Sequence, residues 1–154
     1  MGYDTYKYMV NPSNDAYSFV VSQRIARLAT TDIFGQPHLI PVCFIYTNGL
    51  FFSVIDQKPK NVLAMQLKRI RNISKNPKVA LLFDRYREQW DELAYVMVQG
   101  TAKIIETETE KNHLLEFFGR KYHQYTSMDL KQAPLIEITP RKFLEWGATG
   151  LSEK

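Results

Sequence analysis

The chain has 154 residues, 45% of them hydrophobic and 23% charged, which is the size and composition of one globular domain and excludes an intrinsically disordered or low-complexity protein. A formal net charge of +4 points to an anionic partner without saying which. The single cysteine, Cys43, excludes an internal disulfide framework, and the N-terminus lacks the apolar run of a signal peptide, so a soluble cytoplasmic protein is expected.

Pro12-Ser13-Asn14-Asp15 supplies an N-cap and an early acid for an amphipathic helix over about 14–24. The period then shortens. Ile25 to Thr31 and Pro37 to Tyr46 read as strands around the turn Asp32-Ile33-Phe34-Gly35-Gln36. Asn48-Gly49 then joins the second of these to Leu50–Ile55, so three antiparallel strands in succession are expected. Residues 60–76 read as a helix stopped by Asn76-Pro77, with Val62, Leu63, Met65, Ile70 and Ile73 as its packing stripe. Val79–Phe83 reads as a short buried strand and 84–92 as a polar loop. Leu93–Ile105 reads as a long strand with a bulge or bend near Gly100. Thr107 to Glu110 forms a capping box for a helix to about Gln124, and a last strand starts at Leu135 and extends toward Trp146. The sum is a β-dominated α+β fold of six antiparallel strands, a barrel with flanking helices, over residues 1–154.

The stretch from Asp56 to Asp84 holds Lys58, Lys60, Lys68, Arg69, Arg71, Lys75 and Lys78 and no carboxylate between its ends. A solvated helix face is the ordinary reading of such a run. His38, His113, His123 and Cys43 lack metal-ligand spacing, and Cys43 in an apolar strand reads as a small hydrophobe. No nucleophile motif or glycine-rich phosphate loop is present, so no catalytic residue is named. Flavin enzymes need none, because the cofactor carries the chemistry and the protein binds and orients it. Residues 57–78 contain no aromatic, which disfavours a nucleic-acid-binding barrel.

Arg27-Leu28-Ala29-Thr30-Thr31, the 37–42 strand, the 47–53 hairpin, Lys68-Arg69-Ile70-Arg71-Asn72-Ile73 with Asn76-Pro77-Lys78-Val79-Ala80, and the ending around Ile136–Lys142 and Trp146-Gly147-Ala148 together resemble the pyridoxamine 5′-phosphate oxidase-like flavin-binding split-barrel proteins. They look closest to the branch that uses or binds the deazaflavin F420. The resemblance implies a homodimer of split barrels with a cofactor, FMN or alternatively F420, in each groove between protomers. It also implies an oxidoreductase passing a hydride at the flavin N5, or at C5 of F420, to or from a small-molecule substrate. A non-catalytic flavin- or haem-binding protein of the same fold is the alternative. Carried over by position, Lys68 and Arg69 hold the phosphate, with Arg71, Lys58 and Lys60 completing the anion site. Backbone near Ala29, Thr30, Pro41 and Val42 meets the polar edge of the ring. Ser53 lies by the phosphate-ribityl side and Trp146 walls the pocket near the dimer interface. The sequence lacks the longer C-terminus and Arg-Leu motif of the vitamin B6 phosphate oxidases, and its segment between Ser53 and Lys68 is longer.

Overall fold

The computed structural model describes residues 10–56, 66–106 and 108–147. Helix α1 (Asn14–Ser22) starts where expected, with the Ser13 hydroxyl accepting from the Ala16 N–H at 3.1 Å. It ends two residues earlier than the pattern suggests, and buries Ala16, Phe19 and Val20. The strands β1 (Ala26–Thr31), β2 (Pro37–Val42), β3 (Ile45–Thr47) and β4 (Leu50–Val54) follow. Helix α2 (Lys68–Lys75), β5 (Lys78–Arg85), β6 (Ala94–Ile105), α3 (Glu108–Lys121) and β7 (Leu135–Gly147) complete the elements, with short 3-10 turns at Trp90–Glu92 and His123–Ser127. The residues expected as a polar loop thus include the end of β5 and one of these turns. The N-terminal part of the helix expected over 60–76, and Thr107 of the capping box, lie outside the described residues.

All seven strands form one antiparallel sheet in the order β2-β1-β5-β6-β7-β4-β3. The run 37–46, expected as one strand, is two, so the described residues form seven strands rather than six. It also gives two hairpins, β1–β2 and β3–β4, in place of three paired strands in succession. β2 and β3 occupy opposite edges of the sheet, yet only Cys43 and Phe44 separate them in the chain. The sheet must therefore curl until its edges meet, which is the split barrel.

The break at Phe44 is stabilised from far away in sequence. Its N–H donates to the Tyr122 hydroxyl at 3.0 Å, and its carbonyl accepts from Lys121 Nζ at 3.1 Å and lies 3.0 Å from the same hydroxyl. Backbone groups that would otherwise need a neighbouring strand are satisfied by two side chains. The Asn48-Gly49 turn adopts positive φ at both residues, 53° and 75°, as a tight hairpin between right-twisted strands requires.

β6 and β7 pair along their whole length, with a register shift between Gln99 and Gly100 that leaves Arg141 as the extra residue on β7. A Cβ on Gly100 would sit 2.5 Å from the Thr139 carbonyl oxygen, so the close approach of the strands requires glycine there. The core falls into two clusters. The larger gathers Phe19, Phe44, Phe51 and Phe83 with the residues of α1 and α2, and the smaller packs Leu114, Phe118, Tyr122 and Tyr125 against Phe52, Val54 and Leu135.

Candidate anion site on helix α2

Three polar contacts fasten α2 to the end of β1. Asn72 Nδ2 donates to the buried Thr30 hydroxyl at 2.9 Å, Asn76 Nδ2 donates to the Thr31 hydroxyl at 2.8 Å, and Lys68 Nζ lies 3.7 Å from Asp32 Oδ2. Positions 68, 72 and 76 are one turn apart, so one face of the helix meets the strand end. Ile70 and Ile73 seat the same helix in the core.

Asp32 shapes the adjoining turn. Its Oδ1 accepts the Phe34 and Gln36 N–H groups, each at 2.9 Å, which leaves Oδ2 for Lys68. The hydrogen bond from Gln36 is the chief reason its carboxyl is held below the usual range, opposed by desolvation and helped by Phe34 and the Lys68 charge.

Asp32, Ile33, Phe34, Lys68, Arg71, Asn72, Ser74 and Lys75 line an open cavity of about 320 Å³. Lys68, Arg71 and Lys75 give it three cations against one carboxylate. The Lys68–Asp32 contact is long and partly exposed, a type of ion pair that water screens, so Lys68 can turn to a stronger anion at little cost.

Arg69 differs from its neighbours. Its Nε is buried and is the one buried side-chain nitrogen or oxygen among the described residues without a hydrogen-bond partner. Burial disfavours its charged form and lowers its pKa, opposed by the charge of Asp56 just beyond β4. A guanidinium so placed calls for an anion, since an unsatisfied buried donor costs roughly 1–3 kcal/mol and more when charged. The influence of Asp56 also places the end of β4, which carries the buried Ser53, near this part of α2.

The sequence candidates divide accordingly. Lys68, Arg69 and Arg71 share α2, and Ala29 and Thr30 lie on the strand it rests against. Pro41 and Val42 lie across the β1–β2 ladder, opposite Arg27 and Ala26. Thr30 spends its hydroxyl on Asn72, so its side chain fastens the helix. Lys58 and Lys60 are outside the described residues. Trp146 stands apart: it is half-exposed, stacked on Tyr95 at 5.8 Å, and pairs across the ladder with that residue. Ser53 pairs with Ile136, ten positions before Trp146 on β7, or roughly 30 Å along the strand at the usual rise. One protomer therefore does not bring Trp146 and Ser53 to the same pocket.

Sequence reasoning read Asp32 only as a turn residue and did not weigh Asn72 or Asn76. Their four-residue spacing from Lys68, on a short helix behind a Thr-Thr strand end, is the available signal. Among the described residues no group of three His, Cys, Asp or Glu is gathered that could hold a metal, and no helix is long and apolar enough to cross a membrane.

Residues 15–147 match the family model of pyridoxamine 5′-phosphate oxidase. A curated relative, the 5a,11a-dehydrotetracycline/5a,11a-dehydrooxytetracycline reductase of Streptomyces rimosus, is 25% identical over 134 residues, covering 86% of this chain and 81% of that protein. Among solved structures, the conserved hypothetical protein Rv2991 from Mycobacterium tuberculosis superposes with a TM-score of 0.74 at 20% identity, covering 92% and 88% of the two chains. The heme storage protein HutZ from Vibrio cholerae gives 0.68 at 16%, covering 91% and 99%. A FAD-binding protein from Mesorhizobium loti gives 0.64 at 15%, covering 86% and 92%.

Proposed function

The chain belongs to the pyridoxamine 5′-phosphate oxidase family, and from that premise we propose that it is an oxidoreductase that binds a phosphorylated flavin, FMN or the deazaflavin F420, on α2 and serves hydride transfer with a small molecule. The observation that carries this reading is the buried, unpartnered Nε of Arg69, beside the cations Lys68 and Arg71 on the same helix. A phosphate oxygen is the acceptor that fits it.

Arg69, which does not line the cavity on α2, would hold one phosphate oxygen through its buried Nε, and Lys68, released from Asp32, would hold another. Arg71 adds charge at the rim, and charge-assisted bonds of this kind contribute about 1.5–3 kcal/mol each. Backbone near Thr30 and Val42 and the Pro41 carbonyl would meet the polar edge of a ring, whereas Ala29 is paired with Leu39 and Ala80 on its two sides and would contribute only as part of the strand. A bound flavin supplies the redox chemistry at its N5, or at C5 in the deazaflavin. The contribution of the chain is therefore orientation and charge, and no side chain is assigned a proton. The family resemblance supports a cofactor between two protomers, and Trp146, far along β7 from Ser53, would there serve the pocket of a second copy. The Streptomyces rimosus relative, a reductase by name, supports an enzyme over a carrier.

The test is the absorption spectrum of the purified protein before and after addition of FMN or F420, followed by turnover with a reduced nicotinamide or reduced F420 as donor. Saturable binding with turnover supports the enzyme, binding without turnover with either donor contradicts it in favour of a carrier, and binding of neither cofactor sinks the reading.

A further inference from the structure

A second cleft lies between α1, β3 and α3, and shares no residue with the cavity on α2. Its volume is about 300 Å³, and its walls include Val21, Phe44, Tyr46 and Phe117, with Arg120 and Lys121 at the α3 side. Ile45, Tyr46 and Phe117 continue it into a neighbouring depression of about 480 Å³ beside Tyr17 and the Asn48-Gly49 turn. Val21 and Phe117 remain more than a third exposed although they face this apolar cleft.

Lys121 gives the cleft its chemistry. Its Nζ lies 3.5 Å from the centre of the Phe44 ring and donates one hydrogen bond, to the Phe44 carbonyl. An ammonium has three donors, and among the described residues no carboxylate comes within ion-pair distance of this one. The surroundings add positive charge: Arg24 donates to the Lys121 carbonyl at 2.7 Å and covers the Tyr122 ring, and Arg120 lies one residue away. The Glu116 carboxylate reaches Arg120 at 3.9 Å in the open, a contact worth little. Desolvation first, then Arg24, lowers the Lys121 amine to about 8, with Cys43 opposing. A half-buried, undercompensated cation beside aromatic walls is complementary to a single negative charge carried on an apolar body.

We propose that the α1–β3–α3 cleft is a binding site for an amphipathic monocarboxylate, with the carboxylate on Lys121 and the aryl or alkyl body over Tyr46, Phe117 and Val21. One half-buried ammonium suits a single charge; a doubly charged phosphate would be left with oxygens facing apolar walls.

The experiment titrates the full-length protein with phenylbutyrate and with the neutral phenylbutanol by calorimetry, and repeats both with Lys121→Met, which keeps an apolar stem. The expected result is saturable binding of the acid, with the alcohol at least about tenfold weaker. The substitution should bring the acid down to the level of the alcohol and leave the alcohol unchanged. Equal affinity for acid and alcohol, no saturation of the acid up to about 5 mM, or undiminished acid binding by the variant overturns the proposal. Should the variant fail to fold, reductive methylation of the native protein, mapped by mass spectrometry, replaces it: phenylbutyrate should slow labelling of Lys121 at least about threefold at saturation, and unslowed labelling overturns the proposal. The cofactor reading can fail without touching this result, because the two sites have no residue in common.

Discussion

Asn72 donates its side-chain N–H to the hydroxyl of Thr30 at 2.9 Å, both residues being almost fully buried, and this bond ties the basic helix to the strand it serves. Asn72→Ala strands the Thr30 hydroxyl in the interior and should cost about 1–3 kcal/mol in chemical denaturation, with weaker cofactor binding as α2 loosens. Asn72→Ala with Thr30→Val removes both partners and should recover part of that loss. No recovery in the double variant would contradict the assignment of the bond.

Gly100 and Gly119 should respond to alanine in opposite directions. At Gly100 the new methyl meets the Thr139 carbonyl oxygen at 2.5 Å, so the β6–β7 register must shift, at about 1–3 kcal/mol. At Gly119, within α3, the nearest atom is the Thr126 methyl at 3.5 Å, an ordinary contact, and alanine should stabilise by about 0.5–1 kcal/mol through helix propensity. Thermal melting of the two variants checks both signs.

Stability should rise as pH climbs from about 8 toward 10 and fall above it. The folded state holds Lys121 at about 8, below its unfolded value, so across that window the unfolded chain binds more protons and the penalty of burying the ammonium fades. Because the side chain is only half-buried, screening reduces the effect to about 1 kcal/mol. Tyr122 is pushed up to about 12 by burial, and Tyr125 is raised by burial and then by Cys43; above the ordinary tyrosine value the unfolded chain ionises first and stability is lost. Denaturation midpoints across this range should show the rise in the native protein and not in Lys121→Met.

Helix starts, the Asn48-Gly49 hairpin and the irregularity at Gly100 were legible because each is specified by adjacent residues. The split of 37–46 was not. Nothing local at Cys43 and Phe44 announces a break, and the groups that make it tenable, Tyr122 and Lys121, stand more than seventy residues away. Likewise the basic stretch of α2 could be read, whereas the difference between Arg69 and its neighbours could not, since it arises from burial against other elements. Trp146 and Ser53 were assigned to one pocket by resemblance; the β7 register shows that a single protomer keeps them apart.

Asp32 competes with any anion for Lys68. Asp32→Asn keeps an acceptor for the Phe34 and Gln36 N–H groups and removes the charge, so cofactor affinity should rise by about two- to fivefold in an equilibrium titration. A fall in affinity with the fold intact would show that Asp32 itself contributes to binding.

On the proposed function, α2 holds the cofactor phosphate through Arg69 and Lys68. Titration of the native protein and the Lys68→Ala/Arg69→Met double variant with FMN and with F420, followed by flavin absorbance or fluorescence, measures it most directly. One cofactor should bind the native protein at saturation with an affinity at least about a hundredfold tighter than the variant, corresponding to about 3 kcal/mol or more for two lost charge-assisted bonds. Equal affinity in the two proteins, with both folded, would contradict the account.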